Sequence, residues 1–183
     1  MQTRILVPGH QDRRYLQLQE AWGNRYQASL FRFYQYQGLS VFVLALVFAV
    51  IAANPAPLGP LGWIGAGLIA AGIGGEGLAD RQLQAWRAKP ENHGKTCRAG
   101  LWAFSRHPNY FFEIWVWLGW ALMALSTPLW GPLGLVPFAV MSGALIFFTG
   151  IPANEAANLP SKPDYAAYQR EVSALIPWFP KRS

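Results

Sequence analysis

From Phe33 through Gly75, and again from Ile114 through Asn154, the chain carries no lysine, arginine, aspartate or glutamate. These are uncharged blocks of 43 and 41 residues in a chain of 183. A helix that crosses a bilayer needs roughly 20 predominantly apolar residues, so each block has room for two spans and a short turn. Proline and glycine clusters mark both turns, at Asn54-Pro55-Ala56-Pro57-Leu58-Gly59-Pro60 and at Ser126-Thr127-Pro128-Leu129-Trp130-Gly131-Pro132. Neither cluster can continue a helix. The pattern predicts an all-α polytopic membrane protein of about four transmembrane helices, near Phe33–Ala53, Leu61–Asp80, Tyr110–Leu125 and Leu133–Ile151.

Charge placement gives the expected topology. The fifteen basic residues fall as five within 1–32, six within 81–106 and four within 162–182. An even number of spans puts all three segments on one face, and basic excess marks the cytoplasmic side. Both termini are therefore expected in the cytoplasm. The expected organisation is an interfacial or soluble arm over 1–32, a membrane domain over 33–154 with a cytoplasmic loop at 81–108, and a C-terminal segment over 155–183 docked on the bundle. The net charge of +6 follows from this asymmetry, and no nucleic-acid partner is expected. No signal peptide is expected, because the first apolar run begins late and is too long for one. The aromatics Tyr15, Trp22, Tyr26, Phe31 and Phe33 suit either a helix lying at headgroup level or a soluble arm.

The single cysteine, Cys97, excludes an internal disulfide and a cysteine-based metal cluster. Lys95 and Arg98 beside it could lower its pKa; the bland alternative is a bystander thiol. Seven glycines between Gly62 and Gly77 allow the second helix to approach its neighbours, or a ligand, closely.

Three polar clusters sit where ionisable groups approach hydrocarbon, which is costly unless they face protein. Glu76, Asp80 and Arg87 share one helical stripe, suited to ribose hydroxyls and phosphate or simply to a charged helix end. Ser105-Arg106-His107-Pro108-Asn109-Tyr110 leads into Glu113 at a helix start, a possible cofactor or anion site. Glu155 is followed by Asp164-Tyr165-Ala166-Ala167-Tyr168 and by the apolar tail Ala174-Leu175-Ile176-Pro177-Trp178-Phe179-Pro180. Two tyrosines three apart share a face of a short amphipathic helix, and the tail reads as a docking segment. No phosphate loop, zinc signature or nucleophile elbow is present.

Gly100-Leu101-Trp102 followed by Ser105-Arg106-His107-Pro108-Asn109-Tyr110 and Glu113 resembles the C-terminal domain of the steroid 5-alpha-reductase superfamily, most closely its bacterial DUF1295-like branch. Asp12-Arg13-Arg14-Tyr15, Trp22-Gly23, Glu76 with Asp80 and Gln82-Leu83, Pro90-Glu91-Asn92, and the ending from Tyr165 to Pro180 are similar in order and spacing. The resemblance implies a membrane-embedded reductase of the inner membrane that passes hydride from NADPH to a carbon–carbon double bond of a steroid- or isoprenoid-like lipid. It implies that Glu76, Asp80, Arg87, Arg106, His107, Asn109 and Tyr168 bind the cofactor, with Glu155 a further candidate. Tyr110 and Glu113 are then the catalytic pair, and no metal is involved. Two alternatives stay open: a non-catalytic subunit packed against other membrane-protein subunits, and a methyltransferase using S-adenosylmethionine on a lipid or isoprenylcysteine. Family members usually carry further spanning helices before the segment matching Asp12–Tyr15, and these are expected to be missing here. Phe112 stands where the family pattern has glycine.

Overall fold

A computed structural model describes residues 19–181. These divide into two compact units, with the boundary between Phe42 and Val43. Asp12-Arg13-Arg14-Tyr15 lies outside the described residues.

In the first unit, a 3-10 turn at Gly23–Arg25 leads into helix α1, Tyr26–Ala52, whose last ten residues belong to the other unit. Helix α1 begins well before the expected Phe33, because Tyr26 through Arg32 contains no proline and no interior glycine to stop it. The Trp22 ring lies 6.2 Å from Tyr26 and 6.4 Å from Phe33, so these aromatics cluster rather than scatter.

In the second unit, Pro60 opens helix α2, Pro60–Arg87. It runs two turns beyond the expected end at Asp80, so that Glu76, Asp80 and Arg87 ride on one continuous helix. Helix α3, Pro108–Leu125, starts on Pro108, which supplies a fixed φ where the amide would be unpaired anyway. Helix α4, Leu135–Gly143, passes into a π-helical turn at Ala144–Phe148. The expected span to Ile151 is broken there, and a separate helix α5, Ile151–Asn158, begins with Pro152 in its first turn. Helix α6, Tyr165–Glu171, precedes the tail.

Among the described residues there is no β-strand, and three helical stretches are long and apolar enough to cross a membrane: Gln19–Ala52, Pro60–Arg87 and Gly131–Asn158. The α3 stretch is 18 residues long and is not among those three. Its first two turns carry Asn109, Tyr110 and Glu113.

Helices α2 and α3 pack through glycine. A Cβ at Gly65 would lie 2.5 Å from the Gly119 carbonyl oxygen, and one at Gly119 would lie 2.6 Å from that of Gly65. Gly72 meets the backbone at Phe112 and Val116 in the same way. Backbone-to-backbone approach of this kind gains dispersion contacts that lipid tails cannot supply. At Gly75, the ring of Phe112 fills the space a side chain would take. On the other side of α3, Ala124 packs with Val47 and Val50, flanked by Trp117 and Trp120.

Candidate functional site

The loop after α2 folds back along it. Asn92 Nδ2 donates to the Trp86 carbonyl at 2.9 Å, Leu101 N–H to Gln82 Oε1 at 2.8 Å, and Trp102 Nε1–H to the Ala79 carbonyl at 2.8 Å. Gly100 makes this possible: its φ is +58°, and the Gln82 amide occupies the place of any Cβ. The loop is thus pinned beside the polar end of α2 rather than left in solvent.

The C-terminal segment closes the other side. The Asp164 carboxylate accepts the Thr96 N–H at 3.1 Å and the Thr96 hydroxyl at 2.8 Å. These bonds hold the Asp164 carboxyl below its ordinary pKa, although burial opposes them. Tyr168, almost fully buried, donates its hydroxyl to the Trp102 carbonyl at 2.5 Å. Desolvation by burial drives its pKa well above the ordinary tyrosine value.

Between α3, α5 and α6 lies a charge-assisted clamp. Glu155 Oε1 accepts from Arg106 Nε at 2.7 Å and stands 3.3 Å from His107 Nε2, while Glu155 Oε2 accepts from Gln169 Nε2 at 2.9 Å. Arg106 Nη1 donates on to the carbonyls of Gln169 and Val172. Burial lowers the His107 pKa despite the nearby carboxylate. Its ring stacks parallel on Tyr110, with centroids 5.2 Å apart.

These segments enclose a cavity of about 250 Å³. Its walls include Asp80, Arg87, Arg106, His107, Asn109 and Tyr168, six of the nine residues expected at the site. Glu76, Tyr110 and Glu113 are not in that wall. Glu76 meets Glu113 across the α2–α3 interface, and Glu113 accepts from its own helix at Trp117 Nε1, 2.7 Å away. The Tyr110 hydroxyl accepts from Asn154 Nδ2 at 3.3 Å. Phe112 is also absent from the wall, since its ring is taken up by Gly75.

The structure adds Thr96, Cys97, Asn154, Asn158, Lys162 and Tyr165 to the cavity. Asn154 and Asn158 lie four apart on α5, a spacing visible in the sequence; nothing local marks Lys162. Cys97 is buried, and desolvation raises its pKa, the reverse of an activated thiol. Burial pushes the Tyr165 phenol up to about 12, so it stays a hydroxyl donor.

A second cavity of about 330 Å³ shares Leu83, Arg87, Cys97, Asn158 and Lys162 with the first. Lys95, His93, Asn92 and Trp86 complete the polar part of its lining, and no carboxylate of the described residues lines it. The Trp86 Nε1–H is buried without a partner. Burial and the Arg87 charge draw the Lys162 pKa below the ordinary lysine value, with Asp164 partly offsetting them. In the first cavity, Asn109 donates to Asp80 Oδ1 at 3.4 Å while its own buried Oδ1 has no partner. The two cavities adjoin at their shared residues and make up a trough lined by acceptors at Asp80 and Asn109 in the first, Lys95 in the second, and Arg87 and Lys162 in both.

No curated protein and no solved structure matches this chain. The sequence model of one family, described as a protein of unknown function (DUF1295), matches residues 1–172. The chain belongs to the DUF1295 family.

Proposed function

We propose that the protein is a membrane-embedded, NADPH-dependent reductase of a carbon–carbon double bond in a steroid- or isoprenoid-like lipid, with the cofactor on the cytoplasmic side. The observation that carries this reading is the pair of adjoining cavities that share Arg87 and Lys162, with Asp80 and Asn109 lining one and Lys95 the other. A dinucleotide needs hydroxyl acceptors at one place and cations for its phosphates at another. The residues present fit that need: the Asp80 carboxylate suits ribose hydroxyls, the orphan Asn109 Oδ1 suits an amide or amine N–H, and Arg87, Lys95 and Lys162 suit phosphate. S-adenosylmethionine carries no phosphate and adds a cation of its own, so this lining favours it less.

Bound NADPH would supply a hydride to one carbon of the double bond, with a proton added to the other. The chain's share is binding, orientation and electrostatics. Tyr165, whose phenol stays protonated, is the hydroxyl donor facing the cavity. Tyr110 acts through His107, on which it stacks, and through Asn154, from which it accepts. Phe112 leaves the trough clear because Gly75 receives its ring.

The test is NADPH oxidation by the purified protein in nanodiscs supplied with conjugated lipid enones and allylic isoprenoids. Turnover with one lipid class, with a KM for NADPH raised about tenfold in Arg87→Gln, supports the reading. Absence of turnover with every lipid, together with absence of NADPH binding, moves the assignment to the non-catalytic subunit.

A further inference from the structure

The tail is held by its backbone while its large side chains stay exposed. Its backbone is pinned: Arg106 N–H donates to the Ser173 carbonyl at 2.9 Å, Ser105 Oγ to the Leu175 carbonyl at 2.7 Å, and Trp178 N–H to the Phe104 carbonyl at 2.9 Å. Its large side chains are not buried by this. Ile176, Trp178 and Phe179 are 63%, 70% and 77% exposed, and Phe104, itself partly exposed, meets Phe179 edge-on at 6.0 Å. Phe104, Phe179 and Trp178 form an apolar patch through their ring contacts, with the exposed Ile176 two residues before Trp178, on a segment fixed beside the start of α3.

Beside the patch is a groove of about 380 Å³ whose walls include Trp178, Phe179, Arg170 and Lys181, with Arg106 and Glu171 also in the lining. Arg106 is committed to Glu155, and Glu171 pairs with Arg98. That leaves Arg170 and Lys181 as the cations of the groove with no acidic partner among the described residues. Lys181 is held there by its N–H bond to the Glu171 carbonyl at 2.9 Å.

We infer that this groove is a binding site for the headgroup of an anionic phospholipid, with Trp178, Phe179 and Ile176 seated at the boundary between headgroups and acyl chains. Three observations meet here. The tail is tied to residues 104–106, and Pro108 starts the apolar helix α3 just beyond, so the patch lies beside the polar-to-apolar boundary of the chain there. Tryptophan and phenylalanine favour that interfacial depth, and arginine and lysine reach from it to phosphate. The exposed rings and free cations lie on one groove, which matches one amphiphile better than two separate ligands. This inference rests on the chain spanning a membrane and not on the reductase chemistry.

The test uses the full chain purified from membranes. Native mass spectrometry counts the phospholipids retained after delipidation and re-addition of phosphatidylglycerol or phosphatidylcholine. Phosphatidylglycerol should be retained about tenfold more strongly than phosphatidylcholine, and Arg170→Gln/Lys181→Gln should remove that preference. Trp178→Ala, at an exposed side chain whose backbone bond is kept, should weaken retention of both lipids. Equal retention of the two lipids by the native chain would overturn the inference, as would an unchanged preference in the double variant. Displacement of the lipid by millimolar inorganic phosphate, with no dependence on Trp178, would also overturn it, since the site would then take a free anion. NADPH binding is expected to survive in both variants, so failure here and failure of the reductase reading are separable.

Discussion

Glu155 holds Arg106 at 2.7 Å with side chains only 16% and 11% exposed, tying α5 to the residue just before the His107-Pro108 start of α3. The pair joins segments 49 positions apart, and it shares its carboxylate with His107 and Gln169. Removing one partner of such a pair leaves an uncompensated charge that has lost most of its water.

Glu155→Ala should therefore destabilise the fold by about 3 kcal/mol. In detergent this is read as a clear fall in the thermal midpoint, accompanied by weaker nucleotide binding. Glu155→Gln, which keeps a hydrogen-bond acceptor, should fall between the two. A midpoint unchanged in Glu155→Ala would mean that the clamp contributes nothing to stability.

His107 makes the second prediction, a pH dependence. Its pKa is depressed in the fold, so on acidification the unfolded chain takes up a proton before the folded one does. The stability it contributes is complete above the ordinary value of 6.5 and is lost as pH falls through 6.5 towards the depressed folded value. Thermal midpoints measured from pH 7.5 down to 5 should decline in the native chain and decline less in His107→Gln. Asp164, whose pKa is also depressed, acts in a separate window, losing its contribution only as pH falls below the ordinary aspartate value of 3.8.

Phe112→Ala bears on the departure from the family pattern. Because the ring lies on Gly75 and not in the cavity wall, its loss should lower the thermal midpoint while changing nucleotide affinity less than about twofold. A tenfold gain in affinity would show that Phe112 takes up cofactor space.

Gly119→Val should cost more. Its Cβ has the Gly65 carbonyl oxygen in the way, and backbone cannot yield as a flexible side chain can. Overpacking of this kind costs about 1–3 kcal/mol, measurable as a lower midpoint. Gly74→Ala, on helix α2 and with open space around it, should leave the midpoint unchanged or raised.

The helices were legible where the physics is local. Two long uncharged blocks demand apolar surroundings, and proline with glycine at 54–60 and 126–132 demands turns, so the hairpins follow from residue type alone. The end of α4 was missed although Gly150-Ile151-Pro152 was in view: proline two residues after a glycine suits a new helix start as well as a span's end. Asp80, Arg87 and Asn109 could be read because motif and stripe mark them. Lys162 could not, since its place at the trough depends on Asp164 gripping Thr96, 68 positions away. Glu113 was marked by its place, because a carboxylate near hydrocarbon needs partners; it finds them in Trp117, one turn along the same helix, and in Glu76 across the α2–α3 interface.

The central claim is that the trough takes a phosphate-bearing dinucleotide. A calorimetric titration of the purified chain with NADPH and, separately, with S-adenosylmethionine tests it most directly. Saturable NADPH binding should be seen, weakened about tenfold in Arg87→Gln and again in Lys162→Gln, each of which removes one charge-assisted contact to phosphate. S-adenosylmethionine binding tighter than NADPH, or NADPH binding indifferent to both variants, would contradict it.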